Sequence, residues 1–353
     1  MRRPLMATVA LALALAGCAS DDDAEPEAGP AVTSTTATSG PTSATPPPTG
    51  EAVELEVTDV ATGLDTVWAL AFDPDGRLWF TQRGGRLQQL DGPGRDIPGV
   101  VEQGEGGLLG VEVDDDGRIF LMLSSRSDNR IVRLDDLRAD PVVLVDGIRK
   151  AAIHNGGRLR FGPDGTLYAG TGDAGDTSLP PRSDNLNGKV LVVDPDDGGA
   201  TVFTKGHRNP QGLCFDAAGR LLSTEHGPDR GDEVNLVERG KDYGWPDSSG
   251  TGISNWTPTI APAGCAVYTD DAIPQWTGSL LFTTLKEKDL RRLTFAEDGS
   301  VAAEEILYDD EFGRLRDVAV APDGSVYVAT SNKDTRGDPR GGDDRIVRIA
   351  PVR

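Results

Sequence analysis

Short runs of alternating apolar and polar residues recur along most of the chain. Six of them share one form: an alternating run, a turn that ends in glycine, and a second alternating run. They read LAFDPDGRLWFTQRGGRLQQL, VEVDDDGRIFLMLSS, LRFGPDGTLYAGTGD, LCFDAAGRLLSTEHG, LTFAEDGSVAAEEIL and VAVAPDGSVYVATSN. A period of two places alternate side chains on opposite faces of a strand, and Asp-Gly favours the tight turn between antiparallel strands. The pattern therefore predicts β-hairpins.

The spacing of these hairpins predicts a propeller. Their turn glycines are Gly76, Gly117, Gly165, Gly219, Gly299 and Gly324. The first three intervals are 41, 48 and 54 residues, close to the roughly 40–50 residues of a four-stranded blade. About 300 residues at about 50 per blade predict an all-β fold, a six-bladed β-propeller of four-stranded antiparallel blades. An array of β-sandwiches is the alternative, but it gives no reason for a blade-length period.

The later part of the chain departs from the period. The last two intervals are 80 and 25 residues, which predict one blade without the turn signature and one hairpin placed elsewhere in its blade. The closing run DDRIVRIAP is typical of a strand that completes the ring next to the first blade. Polar loops from different blades are then expected to meet at the mouth of the central channel.

Composition narrows the class of partner. The 353 residues include 44 glycines and 24 prolines, which provide many turns and argue against long helices. The formal net charge is −22. That sign disfavours binding to nucleic acid or to an anionic lipid surface, because both require a positive field. We expect a ligand that is neutral, cationic, or held by a local basic pocket.

The N-terminus is typical of a secretory signal. Two arginines precede an apolar run from Leu5 to Gly17, which is too short for a permanent membrane span. The run leads into LAGC, which resembles the bacterial lipobox and implies lipidation of Cys18 after cleavage. We expect a lipoprotein signal peptide over residues 1–18 and an extracytoplasmic protein anchored in the cell membrane by its lipid. A plain secreted protein with a chance cysteine is the alternative.

A tether and a single large domain follow. Residues 19–52 contain almost no large apolar side chains and cannot offset their ordering entropy by burial, so we expect a disordered tether. The propeller is expected over residues 53–353. If Cys18 is lipidated, Cys214 and Cys265 remain, and in an oxidising compartment they form either a disulfide or two buried thiols.

The first candidate for chemistry is His154, one of only three histidines. Asp173 follows nineteen residues later, at the far end of the same predicted hairpin. Strands joined by a tight turn bring such ends side by side, so we expect a hydrogen bond between the two side chains. A neutral imidazole oriented by a carboxylate is the usual form of a general base. A histidine that only fixes a loop is the alternative.

The other two histidines lie in polar loops. GHRNPQG places Arg208 and Asn209 between glycine and proline, where the arginine either neutralises a carboxylate or a developing oxyanion or is a solvated charge. TEHGPDRGDE groups four carboxylates around the carbonyls beside Gly227 and Pro228. Calcium binds both carboxylate and backbone carbonyl oxygens, which makes this loop a candidate calcium site. An acidic loop without a metal is the alternative, since such loops are common in a chain this acidic.

Several segments together resemble one enzyme family. They are GHRNPQGLCFDAAGRLLSTEHGPDRGDEVNLVERGKDYGWP, EGGLLGV, HNGGRLRFGPDGTLYAGTGD and GRLRDVAVAPDGSVYVAT. The chain closely resembles the soluble quinoprotein glucose dehydrogenases and aldose sugar dehydrogenases over nearly all of residues 60–350. The resemblance implies a six-bladed propeller that uses pyrroloquinoline quinone (PQQ) and calcium to oxidise the anomeric hydroxyl of aldose sugars to lactones. An external quinone or cytochrome is the implied electron acceptor.

The resemblance also implies roles for single residues. His154 matches the base that removes the sugar hydroxyl proton, and Asp173 matches the carboxylate that orients it. Arg208 matches a residue near the reactive carbonyls of the cofactor. The other implied cofactor contacts are Asn209, Thr259, Lys286, Arg314 and Arg316. Because PQQ carries three carboxylates, a chain this acidic must hold it in a local cationic pocket, which Arg208, Lys286, Arg314 and Arg316 are expected to supply.

Two calcium sites are implied in the same way. The backbone carbonyls of Gly227 and Pro228 match ligands of the calcium that also binds the quinone and acts as a Lewis acid. Glu233 and Tyr243 resemble a second, structural calcium site of some relatives, through the carboxylate and a backbone carbonyl. A surface glutamate and a packed tyrosine explain these two residues as well.

The chain departs from the family pattern at Glu105, where relatives usually have glutamine. A carboxylate close to the cofactor and substrate repels an anionic cofactor unless it is protonated or paired. The long insertions of the glucose-specific branch are also hard to find. A propeller that binds a ligand or glycan without catalysis, and a calcium-dependent lactonase, are therefore the alternative functions.

Overall fold

The computed structural model describes residues 51–352, which form six four-stranded antiparallel sheets. The predicted all-β, six-bladed propeller is confirmed. The predicted signal peptide, Cys18 and nearly all of the predicted tether lie outside the described residues. Within residues 51–352, helical structure is limited to a short 3₁₀ turn, Pro274–Trp276, and no helix is long and apolar enough to cross a membrane.

Each sheet is built mainly from consecutive strands. The first blade contains β2 Val67–Phe72, β3 Leu78–Gln82, β4 Arg86–Gln89 and β5 Gly94–Asp96. The second contains β6 Leu108–Val113, β7 Ile119–Ser124, β8 Asn129–Leu134 and β9 Val142–Ile148. The third contains β10 Leu159–Phe161, β11 Leu167–Thr171, β12 Lys189–Val193 and β13 Ala200–Lys205. The fourth contains β14 Pro210–Phe215, β15 Leu221–Glu225, β16 Asp232–Val237 and β17 Ser254–Trp256. The fifth contains β18 Pro262–Tyr268, β19 Ser279–Thr284, β20 Leu290–Phe295 and β21 Val301–Leu307. The sixth contains β22 Leu315–Val320, β23 Val326–Thr330, β24 Ile346–Pro351 and, at its edge, β1 Leu55–Ala61.

The first strands of the six blades form the inner ring. Each of β2, β6, β10, β14, β18 and β22 contacts the next, and β22 contacts β2. The ring is closed by β1, which pairs antiparallel with β24 from Leu55 opposite Pro351 to Asp59 opposite Val347. The closing run is thus the third strand of the last blade, and the strand that precedes the first blade covers its edge.

The irregular spacing of the turn glycines has a structural cause. In the fifth blade β18 and β19 are joined by residues 269–278, which contain the 3₁₀ turn in place of an Asp-Gly hairpin. Gly299 instead lies in the turn between β20 and β21, at φ +83°. One blade therefore lacks the signature and one hairpin occupies another position, as the intervals of 80 and 25 residues predict.

Apolar side chains fill the space between neighbouring sheets. Trp68, Leu109 and Leu121, for example, lie in one cluster that joins the first two blades. Between the fourth and fifth blades the core contains a disulfide from Cys214 to Cys265, whose Cα atoms are 5.9 Å apart. Of the two alternatives for these cysteines, the structure contains the disulfide, and it links the neighbouring inner strands β14 and β18.

Candidate active site at the mouth of the propeller

Topology brings the predicted site residues to one end of the propeller. In a four-stranded antiparallel blade, the connection between the second and third strands lies at the same end as the connection to the next blade. Most segments that carry site residues are connections of these two kinds, or strand ends next to them: 97–107, 149–158, 172–188, 206–209, 226–231, 257–261, 285–289, 308–316 and 331–345. Tyr243 and Trp245 instead lie in the connection between the third and fourth strands of the fourth blade, and Trp245 reaches Asp173 from there. The Asp-Gly turns between first and second strands lie at the opposite end.

His154 and Asp173 form the expected hydrogen bond. His154 precedes β10 and Asp173 follows β11, and His154 Nδ1 lies 2.8 Å from Asp173 Oδ1. Two further donors hold the carboxylate: the indole N–H of Trp245 to Oδ2 at 2.9 Å and the Gly175 amide to Oδ1 at 2.7 Å. The Asp173 side chain is 1% exposed and the His154 side chain 15% exposed. A fixed, buried carboxylate thus orients an imidazole that still reaches the mouth.

The main chain at His154 is also fixed. His154 adopts φ +56°, in the left-handed region that non-glycine residues rarely occupy. Its amide donates to Glu105 Oε2 at 2.8 Å, and Arg336 Nη1 donates to Glu105 Oε1 at 2.6 Å. Burial acts to raise the pKa of Glu105, but the His154 amide and the Arg336 guanidinium outweigh it and hold that pKa below its usual value. Glu105 is therefore ionised and paired with Arg336. Of the two conditions under which a carboxylate is expected to be tolerated beside an anionic cofactor, protonation or pairing, the structure contains the pairing.

The GHRNPQG loop contains a buried histidine and a half-buried arginine. His207 is fully buried, with Nδ1 2.8 Å from Glu225 Oε2 and Nε2 2.8 Å from Thr204 Oγ1, and its ring stacks on Tyr243. The Arg208 guanidinium lies 5.4 Å from the ring centre of Trp245. It also donates to a backbone carbonyl, that of His226, at 3.1 Å. The second histidine is structural, and its neighbour Arg208 packs beside the Asp173–Trp245 contact.

A buried lysine fixes the loop after Asp173. Lys189 is fully buried, and its Nζ donates to the carbonyl oxygens of Leu179, Pro180 and Asn187 at 3.1, 3.0 and 2.5 Å. Burial lowers the pKa of Lys189 to about 8. The three hydrogen bonds from the Lys189 ammonium to backbone carbonyls hold residues 172–188 against β12. The Asp173 carboxylate, at the start of this loop, is therefore rigidly supported.

A polar cavity opens beside His154 at the channel mouth. Its lining comes from different blades and comprises Trp68, Glu105, Asn155, Gly156, Asn209, Gln211, His226, Leu285, Arg316 and Arg336. Within residues 51–352, the buried atoms His226 Nε2 and Arg316 Nε have no hydrogen-bond partner. Burial and the nearby Arg316 lower the pKa of His226 to about 3, so its ring is neutral. Unsatisfied buried polar groups are rare in folded proteins, so two of them in one cavity lining make this cavity the candidate ligand site.

The predicted cofactor contacts are distributed around this cavity. Glu105, Asn209 and Arg316 line it directly. Arg314 is buried behind it, where it donates to Asp334 at 2.9 Å and to the Leu285 carbonyl at 2.7 Å. Lys286 is exposed and donates to Thr259 Oγ1 at 3.1 Å. Of the four cations predicted to form a pocket, which come from three segments, Arg316 lines the cavity, Arg314 contacts the lining residue Leu285, Arg208 is half-buried and Lys286 is exposed, so the cationic pocket stays a prediction.

The loop with the predicted calcium carbonyls is held by one carboxylate. Asp232 accepts the amides of Gly227, Ile260 and Ala261 at 2.7, 2.7 and 2.6 Å. Among the described residues, no hydrogen-bond donor contacts the carbonyl oxygen of Gly227 or Pro228. Uncommitted carbonyls on a fixed loop fit the oxygen ligation that calcium prefers.

Glu233 and Tyr243 are each engaged in protein contacts. Glu233 accepts the amide of Thr251 at 2.8 Å, and the Tyr243 hydroxyl accepts the Glu238 amide at 3.0 Å while its ring packs on His207. In the part of the chain that the structure describes, no group of three or more His, Cys, Asp or Glu side chains is arranged to hold a metal ion. The second calcium site therefore stays a prediction.

Several residues of the site are not predicted from the sequence, among them the lining residue Gln211 and the residues Trp245, His226 and Arg336. Trp245 lies in the quoted YGWP segment and His226 is one of the three histidines, so their rarity in a polar loop is a usable signal. Arg336 lies in TRGDPRGGDD, a segment with no pattern that distinguishes one arginine from another. Only the fold shows that it reaches Glu105, 231 residues away.

Comparison with known proteins places this site in context. Residues 64–338 match the family described as glucose/sorbosone dehydrogenase. The aldose sugar dehydrogenase YliI of Escherichia coli (strain K12) is 30% identical over 327 residues, covering 76% of this chain and 87% of the relative. Quinoprotein glucose dehydrogenase B of Acinetobacter calcoaceticus is 26% identical over 424 residues, covering 82% of this chain and 87% of the relative.

A solved structure agrees with these matches. The PQQ-bound form of an aldose sugar dehydrogenase from Streptomyces coelicolor has a TM-score of 0.77 and 36% identity to this chain. The similarity covers 86% of this chain and 99% of that one. The matched residues 64–338 include the cavity, His154 and Asp173.

Proposed function

This chain belongs to the glucose/sorbosone dehydrogenase family, and from that premise we propose that it is a PQQ-dependent enzyme that oxidises the anomeric hydroxyl of aldose sugars to lactones. One observation carries the proposal: an imidazole oriented by Asp173 stands beside a cavity in which His226 Nε2 and Arg316 Nε, within the described residues, lack partners. The names of the relatives support the cofactor and the substrate class.

His154 acts as the general base. Asp173 accepts a hydrogen bond from the proton on Nδ1, which fixes the tautomer and leaves Nε2 as the ring nitrogen that accepts a proton. Nε2 takes the proton of the anomeric hydroxyl as the hydride leaves the anomeric carbon. Asp173 then stabilises the imidazolium until its proton passes to water. A base of this kind contributes about 10²–10⁴-fold to a rate.

The residues at the mouth fit PQQ. Asn209, Gln211, His226 and Arg316 line the cavity and offer hydrogen-bonding groups to carboxylates and carbonyls. PQQ, when bound, supplies the two-electron acceptor for the hydride, and calcium supplies Lewis acidity at its quinone oxygen. The carbonyls of Gly227 and Pro228 are the proposed calcium ligands.

The proposed location is outside the cytoplasm. The N-terminal signal and Cys18 support lipid anchoring, and the Cys214–Cys265 disulfide fits an oxidising compartment. An external quinone or cytochrome is the proposed electron acceptor. Substituting Cys18→Ala should move the protein from the membrane fraction to the supernatant; a variant that stays with the membrane argues against the anchor.

Reconstitution tests the activity. Purified protein with calcium and PQQ should reduce an artificial electron acceptor when aldoses are added, and the sugar should appear as its lactone or aldonic acid. Sugar binding without PQQ binding would indicate a binding module, and lactone hydrolysis without PQQ would indicate a lactonase. No acceptor reduction across a broad sugar panel would refute the proposal.

A further inference from the structure

Glu105 joins the backbone of the base to an arginine from another blade. Its Oε2 accepts the His154 amide at 2.8 Å, and its Oε1 accepts from Arg336 Nη1 at 2.6 Å. We infer that Arg336 is a positioning residue: by holding the Glu105 side chain in place, it fixes the His154 peptide in the conformation that aims the base at the mouth. The inference rests on the proposed function for its kinetic consequences, but not for its structural ones.

The loop that carries Glu105, residues 97–107, and the loop that carries His154, residues 149–158, lie in close contact. The Glu105 amide donates to the Ala152 carbonyl at 2.8 Å, in addition to the side-chain contact with His154. Gly104 adopts φ +61°, and a Cβ there would collide with the same carbonyl. The close approach requires glycine, and it places the Glu105 carboxylate directly beneath the His154 amide. A left-handed histidine persists only when surrounding contacts impose its conformation.

The Glu105 carboxylate offers a separate acceptor oxygen to each partner. Each oxygen of Glu105 accepts one hydrogen bond, one from a main-chain amide and one from a guanidinium. Glutamine has a single acceptor oxygen, and its amide nitrogen is a donor. Because the two donors here point at different oxygens, a glutamine in the same position would place its amide nitrogen against one of them and satisfy His154 or Arg336, but not both. This requirement gives a physical reason for glutamate in this chain.

The contact with Arg336 also compensates charge at the cavity. Glu105 faces Arg336 directly, while Arg208 and Arg316 lie near enough to interact with its charge without contact. The nearby His226 ring is neutral and adds no compensating charge. Arg336 comes from the loop between β23 and β24, where its own amide donates to Asp334 at 2.8 Å. Without Arg336, an incompletely compensated carboxylate stands beside the site proposed for an anionic cofactor.

Exposed ion pairs usually contribute little, and the Arg336 side chain is 60% exposed. This pair differs because Glu105 is mostly buried, at 26% side-chain exposure, and its second oxygen holds a strained peptide. Loss of the Arg336–Glu105 ion pair should therefore speed hydrogen exchange at the His154 amide and lower turnover. Substituting Arg336 should have neither effect when residue 105 carries no charge.

Amide hydrogen exchange of the apoprotein tests the inference without reference to activity. In the peptide that contains His154, Arg336→Met should speed exchange by about tenfold, the scale of one charge-assisted hydrogen bond. Glu105→Ala should speed it at least as much. In a Glu105→Gln background, Arg336→Met should add no more than about twofold. Arg348→Met, which removes the ion pair to Asp323 at the opposite end of the sixth blade, is the matched control and should leave this peptide unchanged.

Kinetics of the PQQ-loaded enzyme provide the second measurement. Arg336→Met should lower kcat by about tenfold and weaken PQQ binding, with a smaller change in the KM for sugar, and Arg336→Lys should restore part of the loss. Equal effects of Arg336→Met in the wild type and in the Glu105→Gln background would overturn the inference, as would unchanged exchange at His154. If the wild type fails to bind PQQ, the proposed function fails, and the exchange experiment still decides the role of Arg336.

Discussion

At the scale of single residues, the orientation of His154 is set from three directions. Asp173 holds the ring, Glu105 holds the amide, and Trp245 holds the outer oxygen of Asp173. Each of these contacts involves a buried or half-buried acceptor, so losing one leaves a polar group that water reaches poorly. The base is therefore sensitive to residues that never touch the substrate.

Trp245→Phe should lower kcat by about tenfold, because the substitution keeps an aromatic side chain but removes the indole N–H that donates to the Asp173 carboxylate, a charge-assisted contact. The PQQ dissociation constant should change by no more than about threefold. Trp256→Phe is the matched control, because its indole N–H donates to Glu304 in the fifth blade, on the outer side of the ring. Steady-state kinetics of both variants decide the matter; equal kcat values in the two would contradict the role of Trp245.

Glu105 predicts an acid-side dependence of stability. Its pKa is held below the 4.5 of a free glutamate, so folding favours the ionised form. The resulting stabilisation is complete above about pH 4.5 and is lost as the pH falls through the lower folded-state pKa. The difference in Tm between wild type and Glu105→Gln should therefore be largest near neutral pH and should narrow below pH 4.5. A difference that widens on acidification would contradict this account.

Sequence predicts the parts of the site that local geometry determines. His154 and Asp173 meet because they end one hairpin, which alternation and the turn make evident. Trp245 is 72 residues from Asp173, and Arg336 is 231 from Glu105. Those contacts depend on how blades close into a ring, and no local pattern of apolar and polar residues contains that information.

At the scale of elements, the blade is the unit that the sequence pattern predicts well. Five of the six turn glycines join first and second strands, and Gly299 joins the third and fourth. The intervals predict a blade without the turn signature, but alternation does not predict the 3₁₀ turn over Pro274–Trp276 that takes its place. The pairing of Cys214 with Cys265 likewise follows from the neighbouring positions of β14 and β18, not from their spacing in sequence.

The disulfide should stabilise the contact between the fourth and fifth blades. Replacing both Cys214 and Cys265 with alanine should lower the free energy of unfolding by about 2–4 kcal/mol, the usual range for a native disulfide. Equilibrium denaturation with and without reductant measures this. Reductant should shift the wild-type midpoint but not that of the double variant. A wild-type midpoint that ignores reductant would show that the bond is not formed.

At the scale of the whole molecule, the ring is closed by strands from both ends of the described chain. β1 covers the edge of the sixth blade by pairing with β24, so the last sheet contains residues more than 280 positions apart. This closure keeps the first and last blades together and with them the loops that carry Glu105 and Arg336. The site at the mouth thus depends on an intact ring.

Deleting residues 1–61 should destabilise the fold, since it removes β1 and leaves β24 with an unpaired edge. Each hydrogen bond contributes about 0.5–1.5 kcal/mol, so losing a whole ladder costs several kcal/mol. Deleting residues 1–50 is the control and should leave the Tm unchanged, because all the described strands remain. Thermal unfolding followed by circular dichroism compares the two. Equal Tm values for the two deletion variants would show that the pairing of β1 with β24 does not stabilise the fold.

We propose that His154 deprotonates a sugar beside a bound quinone. The most direct test of this claim is a single turnover: apoprotein is titrated with PQQ in the presence of calcium, then mixed anaerobically with aldose while the quinone absorbance is followed. The wild type should bind about one PQQ per chain and reduce it on mixing. His154→Gln should bind PQQ with similar affinity and reduce it at least about 100-fold more slowly. Failure of the wild type to bind PQQ, or equal reduction rates in the two proteins, would contradict the claim.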